Sequence, residues 1–331
     1  MTTHSAKRIV IIGGGPAGYE AALVGARYGA DITLIEDNGL GGSAVIDDCV
    51  PSKSFIAGAN VKTDLRRAED MGLNMKLAED AAGAGSTRLV TALNGRVRQL
   101  AGKQSNDIYR SVKRAGVRII AGRGTFDDYN LNQTVHYIRV EHANGTVETI
   151  ECDLVLVATG ASPRILPGAQ PDGERIVTWQ QIYNITELPE HLIVVGSGVT
   201  GAEFVSAFAE LGVKVTMVAS RDRILPHDDA DAADVLETVL TERGVSLVKH
   251  ARVDSVVRMD DEGVLVRTSD GREIRGSHAL MTVGSIPNTR NMGVESIGME
   301  TTPSGHIKVD RVSRTNVPGV YAAGDCTDLF P

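Results

Sequence analysis

Cysteine and aromatic side chains are scarce in this chain of 331 residues and basic tracts are missing, and each absence narrows what it does. The 3 cysteines, Cys49, Cys152 and Cys326, are odd in number and far apart. They form no disulfide framework, and no Cys or His spacing matches a metal site. A reducing compartment follows, and the cytoplasm is the expected location. The 34 Lys and Arg face 42 Asp and Glu, a formal net charge of -8, with no basic tract. This argues against nucleic-acid binding, which draws on clustered cations. No apolar run is long enough to span a membrane, and no signal peptide is expected ahead of the first apolar run. Aromatics make up only 4% of the chain, whereas glycine reaches 36 residues, a balance that suits an α/β protein with many tight strand-to-helix turns. The length predicts about two domains of roughly 150 residues each.

An internal duplication organises the chain. Arg8-Ile9-Val10-Ile11-Ile12 reads as a buried strand. Gly13-Gly14-Gly15-Pro16-Ala17-Gly18, a helix to about Tyr28 and a strand ending at Glu36 complete a βαβ unit. The pattern returns at Leu192-Ile193-Val194-Val195, Gly196-Ser197-Gly198-Val199-Thr200-Gly201, a helix to about Leu211 and a strand from Lys214 to Val218. Each copy later carries a hairpin signal, Asn144-Gly145 or Asp270-Gly271, and closes on a buried strand leading to Gly160 or Gly284. Between the copies, residues 44–67 and 87–115 read as helical, with an Ala- and Gly-rich loop at 78–86. The expected division is 1–165 and 287–331 for one dinucleotide-binding domain and 166–286 for the other.

Gly13, Gly15 and Gly18 allow a tight turn, a close approach of backbone to a pyrophosphate, and close helix–strand packing. Glu36, at the end of the next strand, suits the ribose hydroxyls of an adenosine. The second set, Gly196, Gly198 and Gly201, differs at the matching place, where Ala219 stands. No carboxylate there repels a 2′-phosphate. Ser220 and Arg221 follow, a hydroxyl and a guanidinium suited to a phosphate dianion, with Arg223 nearby. This site is read as taking NADPH, with NADH as an alternative. Ordinary solvated surface charge is the bland reading of the two arginines.

The segment Gly41-Gly42-Ser43-Ala44-Val45-Ile46-Asp47-Asp48-Cys49-Val50-Pro51-Ser52-Lys53 resembles the active-site helix of the flavoprotein disulfide reductases. Ala158-Thr159-Gly160 and the stretch from Thr315 to Gly324-Asp325 resemble that family's further flavin motifs. In sequence order these matches cover essentially the whole chain. The resemblance implies an α/β fold of two Rossmann-like, three-layer ββα domains, similar to glutathione reductase. It implies FAD on Gly13, Gly15, Pro16, Ala17, Gly18, Glu36, Gly42, Thr159, Gly160, Gly324 and Asp325. It implies a nicotinamide nucleotide on Gly196, Gly198, Gly201, Ser220, Arg221 and Gly284, and an ion pair of Lys53 and Glu203 beside the flavin ring.

One departure shapes the functional reading. Where the family has its first redox cysteine, this chain has Ala44, and one sulfur cannot cycle alone between dithiol and disulfide. The details look like a quinone-reducing branch of the family that lacks the disulfide. The expected activity is hydride transfer from NAD(P)H through FAD to a quinone-like small acceptor, with Lys53, Glu203 and Cys49 at the site. Cys49 reads as a residue that tunes the flavin or simply packs, with peroxide reduction through a sulfenic acid as a rival. A dihydrolipoyl dehydrogenase-like disulfide reductase and a non-catalytic nucleotide-binding fragment or redox sensor are further alternatives. Family members continue beyond the length of this sequence into a dimerisation domain, so the family's homodimer is expected to need residues absent here.

Overall fold

The computed structural model describes residues 6–73, 84–127, 135–260 and 263–329. Among the described residues six α-helices run in chain order: α1 (Pro16–Arg27), α2 (Gly42–Ile46), α3 (Cys49–Asp70), α4 (Ala84–Arg114), α5 (Val199–Glu210) and α6 (Ala230–Glu242). None of the described helices is long and apolar enough to cross a membrane. The chain forms two compact units, 1–47 with 101–162 and 285–331, and 48–100 with 163–284.

The first unit is built on a five-stranded parallel sheet. Its order is 320–322, 154–157, 8–12, 31–36 and 118–121. The central strand 8–12 is β-branched and apolar, and Val10, Ile11 and Ile12 are all buried. Such runs fit a sheet covered on both faces. One face packs Val10, Ile12, Val155 and Val157 against Ile138, Val140, Met292 and Val294. The other packs Ile11, Leu34 and Ile32 against Ala22, Val112 and Val117. An antiparallel meander of 123–126, 136–141 and 147–152 follows, its last two strands joined through the expected Asn144-Gly145 turn.

The second unit repeats the plan with strand order 246–248, 214–218, 191–195, 278–281 and 176–178, all parallel. Its meander is 253–258, 264–268 and 273–276, and the last two strands turn at Asp270-Gly271. The core on one face joins Phe55 and Ala59 of α3 and Val90, Leu93 and Val97 of α4 to Phe204 and Phe208 of α5 and to Leu192, Val194 and Leu280 of the sheet. Phe55 meets Phe208 with ring centroids 5.3 Å apart and Tyr183 edge-on at 6.2 Å.

The packing units cut the chain differently from the sequence boundaries. Phe55, Ala59, Val90, Leu93 and Val97, at helical spacing within 48–100, pack on the second sheet, and this stretch groups with it. The loop expected at 78–86 ends sooner: residues 84–86 already belong to α4, and 78–83 lie outside the described residues.

Candidate functional site

Three segments remote in sequence meet at the N-terminus of α1. Gly13 has a φ of 105°, and a Cβ there would sit 2.2 Å from the Ala158 carbonyl oxygen. The glycine is therefore obligatory, and it seats the first turn directly on the strand end that leads to Thr159-Gly160. A Cβ on Gly18 would lie 1.9 Å from the Gly13 carbonyl oxygen, which explains the third glycine. Gly15 caps α1 without any side-chain bond, and Pro16 occupies the first helical turn. The uncapped helix end offers backbone N–H groups and the positive end of the helix dipole to an anion.

The walls of this opening are bare backbone. A Cβ on Gly42, whose φ is 55°, would lie 2.6 Å from the Gly15 Cα. The turn at Gly324, φ 83°, comes within 3.5 Å of the Ala17 Cβ by the same construction. Ser43, next to Gly42, has a buried hydroxyl with no partner among the described residues. Asp325 is exposed beside this turn. Side chains have been withheld wherever one would fill the cradle, and an orphaned hydroxyl borders it. These features fit the pyrophosphate of a dinucleotide.

Glu36 holds the far side. Its carboxylate accepts from the Gly14 N–H at 2.6 Å and the Asn38 N–H at 2.7 Å. Burial pushes its pKa up, partly offset by those two bonds. Each carboxylate oxygen still has a lone pair to offer a hydroxyl. Thr159 and Gly160 are held by Asn288, a residue the sequence reading did not single out. Its Nδ2 donates to the Thr159 carbonyl at 3.0 Å and its N–H to the Gly160 carbonyl at 2.9 Å. Ser162 Oγ donates to its Oδ1 at 2.7 Å.

The second unit reproduces the first cradle. Gly196 has a φ of 116°, and its Cβ would lie 2.2 Å from the Thr282 carbonyl oxygen, as that of Gly13 does from Ala158. Thr282 was also missed; aligning the two copies on Gly160 and Gly284 would have found it. Gly198 caps α5 without a side-chain bond and has open space where a Cβ would stand. Ala219, in the place of Glu36, is 2% exposed. Ser220 and Arg221 are exposed, and the Arg221 guanidinium has no ion-pair or hydrogen-bond partner among the described residues. The 220–225 loop returns to the fingerprint turn through the Leu225 N–H, which donates to the Ser197 carbonyl at 2.7 Å. Gly284, φ 88°, accepts from the Arg164 N–H at 2.9 Å.

Lys53 and Glu203 lie within this second unit. Lys53 Nζ donates to Glu203 Oε1 at 2.6 Å, joining α3 to the helix that carries the fingerprint N-terminus. At the other end of α5, Lys62 Nζ donates to the Leu211 carbonyl at 3.0 Å. Partial burial pulls the Lys53 ammonium down, but the Glu203 bond and the nearby charges outweigh it, and the net direction is up. Cys49 is exposed on the first turn of α3. Cys152 and Cys326 are buried; burial pushes the Cys152 thiol up to about 12 and raises that of Cys326 as well. No cluster of three or more metal-ligating side chains occurs among the described residues.

The family model for pyridine nucleotide-disulphide oxidoreductases matches residues 7–331. An NAD(P)H dehydrogenase (quinone) of Mycobacterium tuberculosis is 54% identical over 327 residues, which is 98% of this chain and 65% of that protein. A dihydrolipoyl dehydrogenase of Chlorobaculum tepidum is 32% identical over 321 residues, 96% of this chain and 65% of the relative. The chain thus spans about two thirds of the length of these relatives. Among solved structures, LpdA from Mycobacterium tuberculosis superposes with a TM-score of 0.91 at 53% identity, covering 98% of this chain and 69% of its own. The HOCl-induced flavoprotein disulfide reductase RclA from Escherichia coli gives a TM-score of 0.80 at 25% identity, covering 98% and 67%.

Proposed function

The chain belongs to the pyridine nucleotide-disulphide oxidoreductase family, and from that premise we propose that it is an FAD-dependent NAD(P)H dehydrogenase acting on a quinone-like acceptor. The observation that carries the reading is the bare-backbone cradle where Gly42 and Gly324 close on the N-terminus of α1. FAD, when bound, supplies the two-electron carrier between the nicotinamide nucleotide and the acceptor. In this reading Gly13, Gly15, Pro16, Ala17 and Gly18 bind its pyrophosphate with Gly42, and Glu36 takes the adenosine ribose. Thr159, Gly160 and Gly324-Asp325 line the remainder.

In the second unit, Gly196, Gly198 and Gly201 open the N-terminus of α5 to the nucleotide pyrophosphate, and Gly284 borders it. Ser220 and Arg221 select a 2′-phosphate, so NADPH is the preferred donor. Lys53 stays cationic through neutral pH, because its pKa lies above that of an ordinary lysine. Glu203 fixes that charge at the nucleotide helix. A fixed cation stabilises negative charge as it develops during transfer. The acceptor follows from Ala44: with a methyl group opposite Cys49 in the motif, no dithiol relay exists for a disulfide substrate. The Mycobacterium tuberculosis relative, an NAD(P)H dehydrogenase (quinone), supports the same acceptor class. The domain assignment follows: the unit containing Glu36 holds FAD and the unit containing Ala219 holds NADP(H).

An anaerobic NADPH titration followed by visible absorbance, with benzoquinone added at the end, tests this. Bleaching by NADPH and recovery on quinone are expected, with no turnover of dihydrolipoamide. Bound flavin that NADPH fails to bleach would sink the proposal, and lipoamide turnover would replace it with disulfide reduction.

A further inference from the structure

One hydrogen-bonded network in the second unit lies outside its apolar core and its fingerprint turn. It begins at the hairpin turn after Thr268. Thr268 Oγ1 donates to Asp270 Oδ1 at 2.6 Å, and the Asp270 carboxylate accepts from Arg272 Nε at 2.9 and 3.1 Å. The same guanidinium reaches across to two main-chain carbonyls. Nη1 and Nη2 both donate to Lys249 O at 3.2 Å, and Nη2 donates to His250 O at 3.0 Å. His250 has a φ of 51°, a left-handed conformation that a side chain disfavours. The Arg272 bonds to the Lys249 and His250 carbonyls help to hold it there.

What this turn holds in its own right is the segment after strand 214–218. The Ala219 N–H donates to Val248 O at 2.9 Å, the His250 N–H to Arg221 O at 3.1 Å, and the Ala251 N–H to Ala219 O at 2.8 Å. Downstream, the loop is anchored at Ile224, whose N–H donates to Glu237 at 2.8 Å, and at Leu225. Between these anchors Ser220 and Arg221 are exposed, and no side chain among the described residues pairs with either to orient it. The chain from Asp270 to Arg221 is contiguous.

We propose that the Asp270–Arg272 pair is the positioning element for nucleotide selectivity: it clamps the left-handed 249–250 turn, which in turn keeps the 219–221 segment in the pose that presents Ser220 and Arg221 to a 2′-phosphate. This rests on the proposed reading of Ser220 and Arg221 as the 2′-phosphate seat. The pair is 42% and 46% exposed, and ion pairs so exposed add little to global stability. Its loss is therefore felt locally. The forked guanidinium matters as well as its charge, because an ammonium cannot span a carboxylate and two carbonyls at once.

Calorimetric binding of adenosine 2′,5′-bisphosphate and of AMP to the full chain, at fixed ionic strength, tests the proposal without any need for turnover. Arg272→Gln, Arg272→Lys and Asp270→Asn are each expected to weaken the bisphosphate about tenfold while leaving AMP within about twofold. A bare charge effect gives a different pattern. Removing the carboxylate of Asp270 would then strengthen anion binding, and Arg272→Lys would be silent. Either result overturns the proposal. So does an equal loss of both nucleotides, which marks a purely structural role. Arg221→Ala reads the underlying assignment separately: unchanged bisphosphate affinity in that variant removes the 2′-phosphate seat itself, whatever the Arg272 variants do.

Discussion

At Gly42 a side chain would have nowhere to go: its Cβ would stand 2.6 Å from the Gly15 Cα, on a backbone with φ of 55°. Gly42→Ala is therefore expected to push the 41–43 turn off the α1 N-terminus. FAD affinity should fall by about tenfold or more, as for loss of a close backbone approach at a phosphate seat. Fluorescence titration of apoprotein with FAD checks this, and AMP binding to the second unit should be retained. Several residues at this scale were legible from spacing alone. Glu36 and Ala219 fall at matching places after their glycines: Glu36 is the last residue of its strand and Ala219 follows directly on the strand 214–218. Asn288 was not legible, because it acts on main-chain atoms, the Thr159 and Gly160 carbonyls; Thr282 meets Gly196 through its own carbonyl and is reached only by aligning the two copies. A side chain or carbonyl serving backbone leaves no residue-type signature in a pattern.

Helices α3 and α5 carry the packing of the second unit. Phe55 of α3 is 2% exposed and meets Phe208 and Tyr183 ring to ring. Phe55→Ala should cost about 3–5 kcal/mol, since truncating a buried phenyl loses transfer energy and leaves a cavity. Urea unfolding measures that loss. The Lys53–Glu203 pair adds less, because Lys53 is 58% exposed and such pairs are worth a fraction of a kilocalorie. The elements themselves were readable: both βαβ units, both hairpin turns and the helical character of 44–67 follow from period and glycine position. The partner of those helices was not. Phe55 and Ala59, or Leu93 and Val97, announce an apolar helix face at i, i+4 spacing, but the two sheets offer equally apolar faces, and only packing chooses between them. The start of α4 was hidden for a simpler reason. Glycine and alanine at 82–85 read as a loop, yet alanine is the best helix former and Ala84 already lies in the helix.

For the whole molecule, histidine burial contributes to the response to acid. His278 is held at about 4 by burial and then by the Arg175 guanidinium, whose Nη1 lies 3.3 Å from its Nε2. Burial also lowers His191 and His136. In the unfolded chain these groups titrate near 6.5, at about the ordinary histidine value. Between those limits the unfolded state binds more protons at these histidines, so their contribution to stability is complete above about pH 6.5 and declines as pH falls toward 4. The urea midpoint should drop between about pH 7.5 and 5, and His278→Gln should make that slope shallower; an unchanged slope would remove His278 from the account. Cysteine accessibility has a different, practical consequence. Cys152 and Cys326 are buried, with thiols pushed up by that burial, while Cys49 is exposed on the first turn of α3, the helix that also carries Lys53. A maleimide dye added to the unaltered chain should attach once, and its emission would report from beside the Lys53–Glu203 pair without any engineered residue.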